Sequence, residues 1–185
     1  MAVFISFLRG INVSGNKKIK MAELKTLYES LGLTKVQTLL QSGNVIFETD
    51  LTDTVEMTHQ IESGIEKTFG FVSRIVLRTP EQLRAVIARH IFSDEQLTQT
   101  NVAMVMFLLD TPTGEAVEAL KNEYKGPETY HVSGQEMYIH YGSSGSHASK
   151  LTNALIDRRL KTVSTARNWN TVTKLVAIAD ELENI

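Results

Sequence analysis

The chain has no cysteine, one tryptophan and three prolines in 185 residues. Without cysteine there is no disulfide, no thiol nucleophile and no thiolate zinc site, so any metal would have to rest on His, Asp or Glu. Few prolines, with 42% hydrophobic and 22% charged residues, exclude the disordered and fibrous classes. No apolar run approaches the roughly 18 residues of a membrane span. The apolar stretch from Ala2 to Leu8 has no basic lead and no small-residue cleavage site, so it does not read as a signal peptide. A cytoplasmic protein with no membrane partner is expected. The formal charge of -2 gives no global electrostatic case for nucleic acid.

What is present is a repeated order of elements. Val3 to Leu8 reads as a buried strand and Ile11 to Lys20 as a polar loop. Met21, Leu24, Leu27, Tyr28 and Leu31 recur at helical spacing, with Gly32 placed to end the helix in the left-handed conformation. Val36 to Leu40 and Val45 to Phe47 form a hairpin around Gln41-Ser42-Gly43-Asn44. Asp53-Thr54-Val55-Glu56 caps a helix whose face continues through Ile61, Ile65 and Phe69; Val72 to Leu77 is the next strand, and Thr79-Pro80-Glu81-Gln82 opens a trailing helix.

The second half follows the same plan. Val102 to Leu109 is a strand, Pro112 to Glu123 a helix, and Thr129 to Val132 with Met137 to Tyr141 a hairpin around Gly134. Ser149 to Leu160 is a helix, Thr162 to Ala166 a short strand, and a closing helix runs behind Asn170 or Thr171 as cap. Strand, helix, strand, strand, helix, strand is the split βαβ order. The expected class is therefore α+β, a tandem duplication of a ferredoxin-like unit, each copy with an extra C-terminal helix. The polar stretch from Ser93 to Asn101 is the natural connector, giving halves of 1–95 and 96–185.

Polar residues collect at strand ends. In a split βαβ unit the first strand ends at the edge that carries the hairpin, which brings Arg9 and Asn12 towards Ser42 and Asn44. One guanidinium with amide, hydroxyl and backbone N–H donors suits an anion or polar ligand. The same residues equally suit a structural tether, because Asn and Ser readily satisfy turns.

The second collection runs Gly142-Ser143-Ser144-Gly145-Ser146-His147-Ala148-Ser149-Lys150, with Arg167, Asn168 and Trp169 after the last strand. A Gly/Ser loop feeding a helix start favours anions, and Lys150 adds charge. The spacing is not that of a P-loop. From Gly142 to Lys174 the local charge is +5, and Lys150, Arg167 and Trp169 are expected to form one basic-aromatic surface. Against a nucleic-acid reading, cations at a helix C-terminus offset the dipole, a lone Trp commonly anchors a core, and the aromatic signature of RNA-binding ferredoxin-like domains is missing.

Neither catalytic residues nor a cofactor or metal site can be assigned from the sequence. The five histidines show no metal-ligand spacing, and no nucleophile elbow or dinucleotide fingerprint occurs. His147 is singled out because it sits in the Gly/Ser loop near Lys150, where a ring titrating near neutrality could move a proton.

Five ordered motifs carry a family resemblance: Arg9-Gly10-Ile11-Asn12-Val13, Met21-Ala22-Glu23-Leu24, Gln41-Ser42-Gly43-Asn44-Val45 with Phe47, Ser149-Lys150-Leu151, and Arg167-Asn168-Trp169 with Thr171-Val172 and Lys174-Leu175. Together the chain resembles the bacterial family called domain of unknown function 1697. It departs at Ser14, where the family commonly has glycine. The resemblance implies the paired α+β architecture and a cytoplasmic location, and it implies no activity, substrate or catalytic residue. Binding of a small ligand bearing phosphate or carboxylate ranks first among the function classes. Association with single-stranded nucleic acid, and an enzyme acting on a phosphorylated metabolite, rank behind it.

Overall fold

The computed structural model describes residues 1–13, 15, 17–98, 102–142 and 145–183. By contacts the chain divides into Met1–Arg84 with Lys174–Ile185, and Ala85–Thr173.

In the first unit, β1 (Ala2–Leu8), α1 (Met21–Ser30), β2 (Thr34–Leu39), β3 (Asn44–Thr49), α2 (Thr54–Phe69) and β4 (Ile75–Arg78) follow in the expected order. The strands lie β2-β3-β1-β4, with β1 antiparallel to both β3 and β4. This is the split βαβ arrangement. Leu24, Leu27 and Tyr28 of α1 and Met57, Ile61 and Ile65 of α2 pack on Phe4, Leu8, Val45, Phe47 and Ile75, as their helical and alternating spacings require. Ser6 lies among these side chains, and its hydroxyl is satisfied by the Tyr28 hydroxyl at 2.8 Å.

Val3, Ile5, Phe7, Ile46 and Val76, which alternate onto the opposite sheet face, are buried as well. Burial on both faces explains why β1 reads as a nearly continuous apolar run, interrupted only by Ser6.

Local chemistry ends and starts these elements. Gly32, at φ 81°, follows α1; its N–H donates to Glu29 O at 3.0 Å and the Leu33 N–H to Tyr28 O at 3.3 Å, a Schellman closure. Asp53 accepts from the Val55 and Glu56 N–H groups at 2.9 and 3.1 Å, removing two orphan donors of α2. Thr79 and Gln82 exchange reciprocal bonds at 2.8 and 3.2 Å ahead of α3 (Pro80–Ala88), the capping box read from the sequence.

In the second unit, α4 (Asp94–Thr98), β5 (Ala103–Leu108), α5 (Gly114–Glu123), β6 (Thr129–Ser133), β7 (Glu136–His140), α6 (Asn153–Leu160) and β8 (Ser164–Asn168) lead to α7 (Trp169–Glu183). The strand order β6-β7-β5-β8 repeats the first sheet, and Met106, Leu108, Met137 and Ile139 pack with Leu120 of α5 and Ile156 and Leu160 of α6.

Several boundaries differ from those expected. The connector from Ser93 carries α4, because Ser93 and Gln96 form a reciprocal capping box at 3.0 and 3.2 Å; Gln99, Thr100 and Asn101 lie outside the described residues. The contact-based division falls inside α3, and again inside α7, rather than at 95. α6 begins at Asn153, not Ser149, because Thr152 takes the capping role and accepts from Leu155 N at 3.3 Å. α7 begins at Trp169, with Asn168 Oδ1 accepting from Asn170 N at 3.0 Å, so the cap is Asn168 and not Asn170 or Thr171.

Candidate functional site

In the first unit the topology brings the first polar collection to one sheet edge, since Phe7 stands opposite Asn44 and Leu8 opposite Ile75. The backbone is sewn together there. Leu8 N donates to Gly43 O at 2.8 Å, Arg9 N to Arg74 O at 2.9 Å, and Ser73 Oγ to Arg9 O at 3.0 Å. Asn12 Nδ2 donates to Ile19 O at 2.9 Å and Gln41 O at 2.8 Å, while its Oδ1 accepts from Ile19 N at 2.9 Å. Asn44 is buried and its amide donates to Leu39 O at 2.7 Å and Ser42 Oγ at 3.0 Å. Both amides therefore hold the loop and the hairpin in place, the tether reading of these residues. Arg9 is half-buried and Ser42 exposed. Ser14 lies outside the described residues.

Gly43 shows how tight this junction is. Its φ is +71°, and a Cβ there would stand 2.7 Å from both Ile11 Cδ1 and Leu8 Cβ. Gly43→Ala is expected to destabilise the protein by about 2–4 kcal/mol, from left-handed strain plus overpacking. Urea unfolding measures it, and a change within about 0.5 kcal/mol would contradict the packing described.

In the second unit the exits of β7 and β8 share an edge, because His140 stands opposite Ala103 and Asn168 opposite Met104. The side chains do not build the expected surface there. Arg167 is 5% exposed and Trp169 7%, whereas Lys150 is exposed. Arg167 Nη1 donates to Thr165 Oγ1 and Ala166 O, both at 2.8 Å, and burial pushes its guanidinium pKa down. Trp169 is covered by His90, at 4.9 Å between ring centroids, and by Phe92 at 5.5 Å. No stacking face is left for a base, which corrects the basic-aromatic surface of Lys150, Arg167 and Trp169. Arg158 and Arg159 both pair with Glu123, whose single carboxylate offsets one unit of the local positive charge.

The Gly/Ser loop contributes differently from its expected role. Ser143 and Ser144 lie outside the described residues. Ser146–Ala148 form a single 3-10 turn, and the loop does not run into the N-terminus of α6. His147 is exposed in that turn, and neither it nor Ser146 lines the cleft that the following residues help to build.

That cleft has a volume of about 610 Å³ and lies between the segment after α5, Tyr141 at the end of β7, the loop from Gly145 to Lys150, and Leu155 of α6. Among its lining residues the Tyr124 hydroxyl donates to Glu128 Oε2, and the Ser149 hydroxyl interacts with the same pair. Ser149 Oγ also accepts from Leu151 N at 2.9 Å, which fixes its orientation. Burial alone would raise the Glu128 pKa, but hydrogen bonds from Ser149, Tyr124 and its own amide outweigh it and hold the group below its ordinary value. Glu128 is therefore an ionised, half-buried carboxylate at neutral pH.

Burial, then the bond to Glu128, raises the Tyr124 phenol. Burial pushes Tyr141 up to about 12, with Glu128 and Tyr124 acting in the same direction, so both phenols are donors. Gly126 lies beneath this group, where a Cβ would collide with the Tyr124 hydroxyl and the Glu128 carboxylate. Lys125 and Lys150 line the cleft and are exposed.

Of the residues singled out in the sequence, Lys150 lines this cleft together with Gly145, Ala148 and Ser149 of the Gly/Ser loop. Tyr124, Lys125, Glu128 and Tyr141 were not among them. The available signal was Lys125-Gly126-Pro127-Glu128, a Gly-Pro turn bracketed by opposite charges. No motif ties it to Tyr141 or Ser149. Among the described residues, no group of His, Asp and Glu is arranged to hold a metal, and no helix is long and apolar enough to cross a membrane.

Fold and site define a class: a protein of two similar sheet-helix units with a ligand-sized cleft in the second. The model of the family described as protein of unknown function (DUF1697) matches residues 1–138, and the chain belongs to that family. The match ends before Tyr141, Ser149 and Lys150, so it covers only part of the cleft. Among solved structures, a conserved bacterial protein of Streptococcus pneumoniae, SP0830, is similar at a TM-score of 0.76 and 20% identity, over 97% of this chain and 99% of that one. At this identity the likeness speaks to fold. No curated protein matches.

Proposed function

We propose that the protein binds a small anionic ligand, bearing phosphate or carboxylate, in the cleft of the second unit. The observation that carries this reading is the pair Lys125 and Lys150, which line the cleft and among the described residues form no ion pair or hydrogen bond of their own. Unpaired ammonium groups at the mouth of a concave site favour an anion from solution. The volume of about 610 Å³ lies within the usual range for metabolite pockets. The burial of Trp169 and Arg167 weighs against single-stranded nucleic acid, which needs exposed aromatic faces beside cations.

Thermal denaturation against a panel of phosphate and carboxylate compounds tests the reading. A true ligand present at about 100 times its Kd stabilises the folded protein by about 2.7 kcal/mol, and Lys150→Ala is expected to abolish most of that shift. Equal stabilisation by every salt at matched ionic strength, unchanged in Lys150→Ala, would contradict it.

A further inference from the structure

We propose that the ligand of this cleft is a phosphorylated sugar, with a sugar hydroxyl between Glu128 and Tyr141 and its phosphate on Lys125 and Lys150. The inference rests on the anion reading above and adds the chemistry of the cleft interior. A carboxylate offers about four acceptor sites; the Tyr124 hydroxyl takes one, and Ser149 and the Glu128 amide also act on the group, which leaves acceptor capacity for a ligand. Glu128 forms no ion pair among the described residues, so that capacity is not taken by a cation.

Tyr141 supplies the complementary half. It lines the cleft, is only 7% exposed, and its hydroxyl makes no hydrogen bond among the described residues. With its ring buried and its hydroxyl unengaged, Tyr141 is free to donate to a ligand acceptor in the cleft. Tyr141 and Glu128 line the same cleft and interact electrostatically. Whatever lies between them must accept from Tyr141 and donate to Glu128.

An ammonium group only donates, and a phosphate dianion only accepts. A hydroxyl does both. The apolar lining of Tyr124, Pro127 and Leu155 suits the C–H face of a sugar ring, and the lysines suit the phosphate. A sugar phosphate meets all three demands in one molecule.

Calorimetric titration of the full chain with glucose phosphate, ribose phosphate, glycerol phosphate, phenyl phosphate, glucose and inorganic phosphate tests this. At least one hydroxylated phosphate is expected to bind about tenfold or more tighter than phenyl phosphate, the gain of one hydrogen bond to a charged group. Glu128→Gln and Tyr141→Phe, each checked for native circular dichroism, are expected to lose that advantage, so that hydroxylated esters bind each variant no tighter than phenyl phosphate does. If phenyl phosphate binds as tightly as every hydroxylated ester, or both variants keep the advantage, the sugar assignment is overturned while the anion reading stands. If no phosphate compound binds, the sugar phosphate assignment fails, and the anion reading fails with it when the carboxylates of the thermal panel do not stabilise the protein either.

Discussion

Phe47→Ala is expected to cost about 3–5 kcal/mol, the range for deleting a fully buried aromatic ring. Phe47 is 0% exposed, lies at the middle of β3, and meets Tyr28 edge-on at 5.5 Å and Phe4 at 6.1 Å between ring centroids. Those rings join β1, β3 and α1, so the cavity opens where the sheet meets its helices. Chemical denaturation reads the loss as a lower midpoint. A loss below about 1 kcal/mol would mean that the ring is not in the core.

The second large effect concerns alkaline pH. Burial pushes Tyr138 and Tyr141 from 10.0 up to about 12, and raises Tyr28 further. A phenol whose folded-state pKa is raised adds stability below its unfolded value, and that contribution is lost as pH rises through the folded value. Stability is therefore expected to fall between pH 10 and 12, by on the order of 2–3 kcal/mol for each of Tyr138 and Tyr141. Tyrosinate absorbance of the native protein should lag behind that of the unfolded chain over the same window. Tyr138→Phe should make the stability slope shallower in proportion. Coincident native and unfolded titrations would contradict the burial of these hydroxyls.

Much of the fold was legible because its determinants are local. Asp53 and the Thr79–Gln82 pair cap their helices as their spacing implies, and Gly32 ends α1 with the expected left-handed turn. β1 is a strand buried on both faces, and its apolar run says so. Boundaries failed where two cap candidates compete within a few residues. Ser149 sits near the start of α6 in sequence, but its hydroxyl is held by Leu151 N, and Thr152 caps instead.

The site was less legible for a non-local reason. Trp169 reads as a possible stacking platform until His90 and Phe92, far away in sequence, cover it. Arg9, Asn12, Ser42 and Asn44 do gather on one edge, as the topology implies, but sequence could not show that the Asn amides are engaged by Ile19, Gln41 and Leu39. The cleft itself draws on four separated segments, at Glu123 to Glu128, at Tyr141, between Gly145 and Lys150, and at Leu155. Only the fold brings them together.

Those two collections, one in each unit, make the central claim directly measurable. Backbone amide chemical shifts, followed by NMR while glucose phosphate is titrated into the full chain, map where a small anion settles. The account predicts saturable shifts concentrated at Tyr124 to Glu128, Tyr141 and Ser149 to Lys150, with the hairpin from Gln41 to Asn44 unmoved. Shifts centred on Arg9, Asn12 and that hairpin, or weak shifts spread over the surface without saturation, would contradict it.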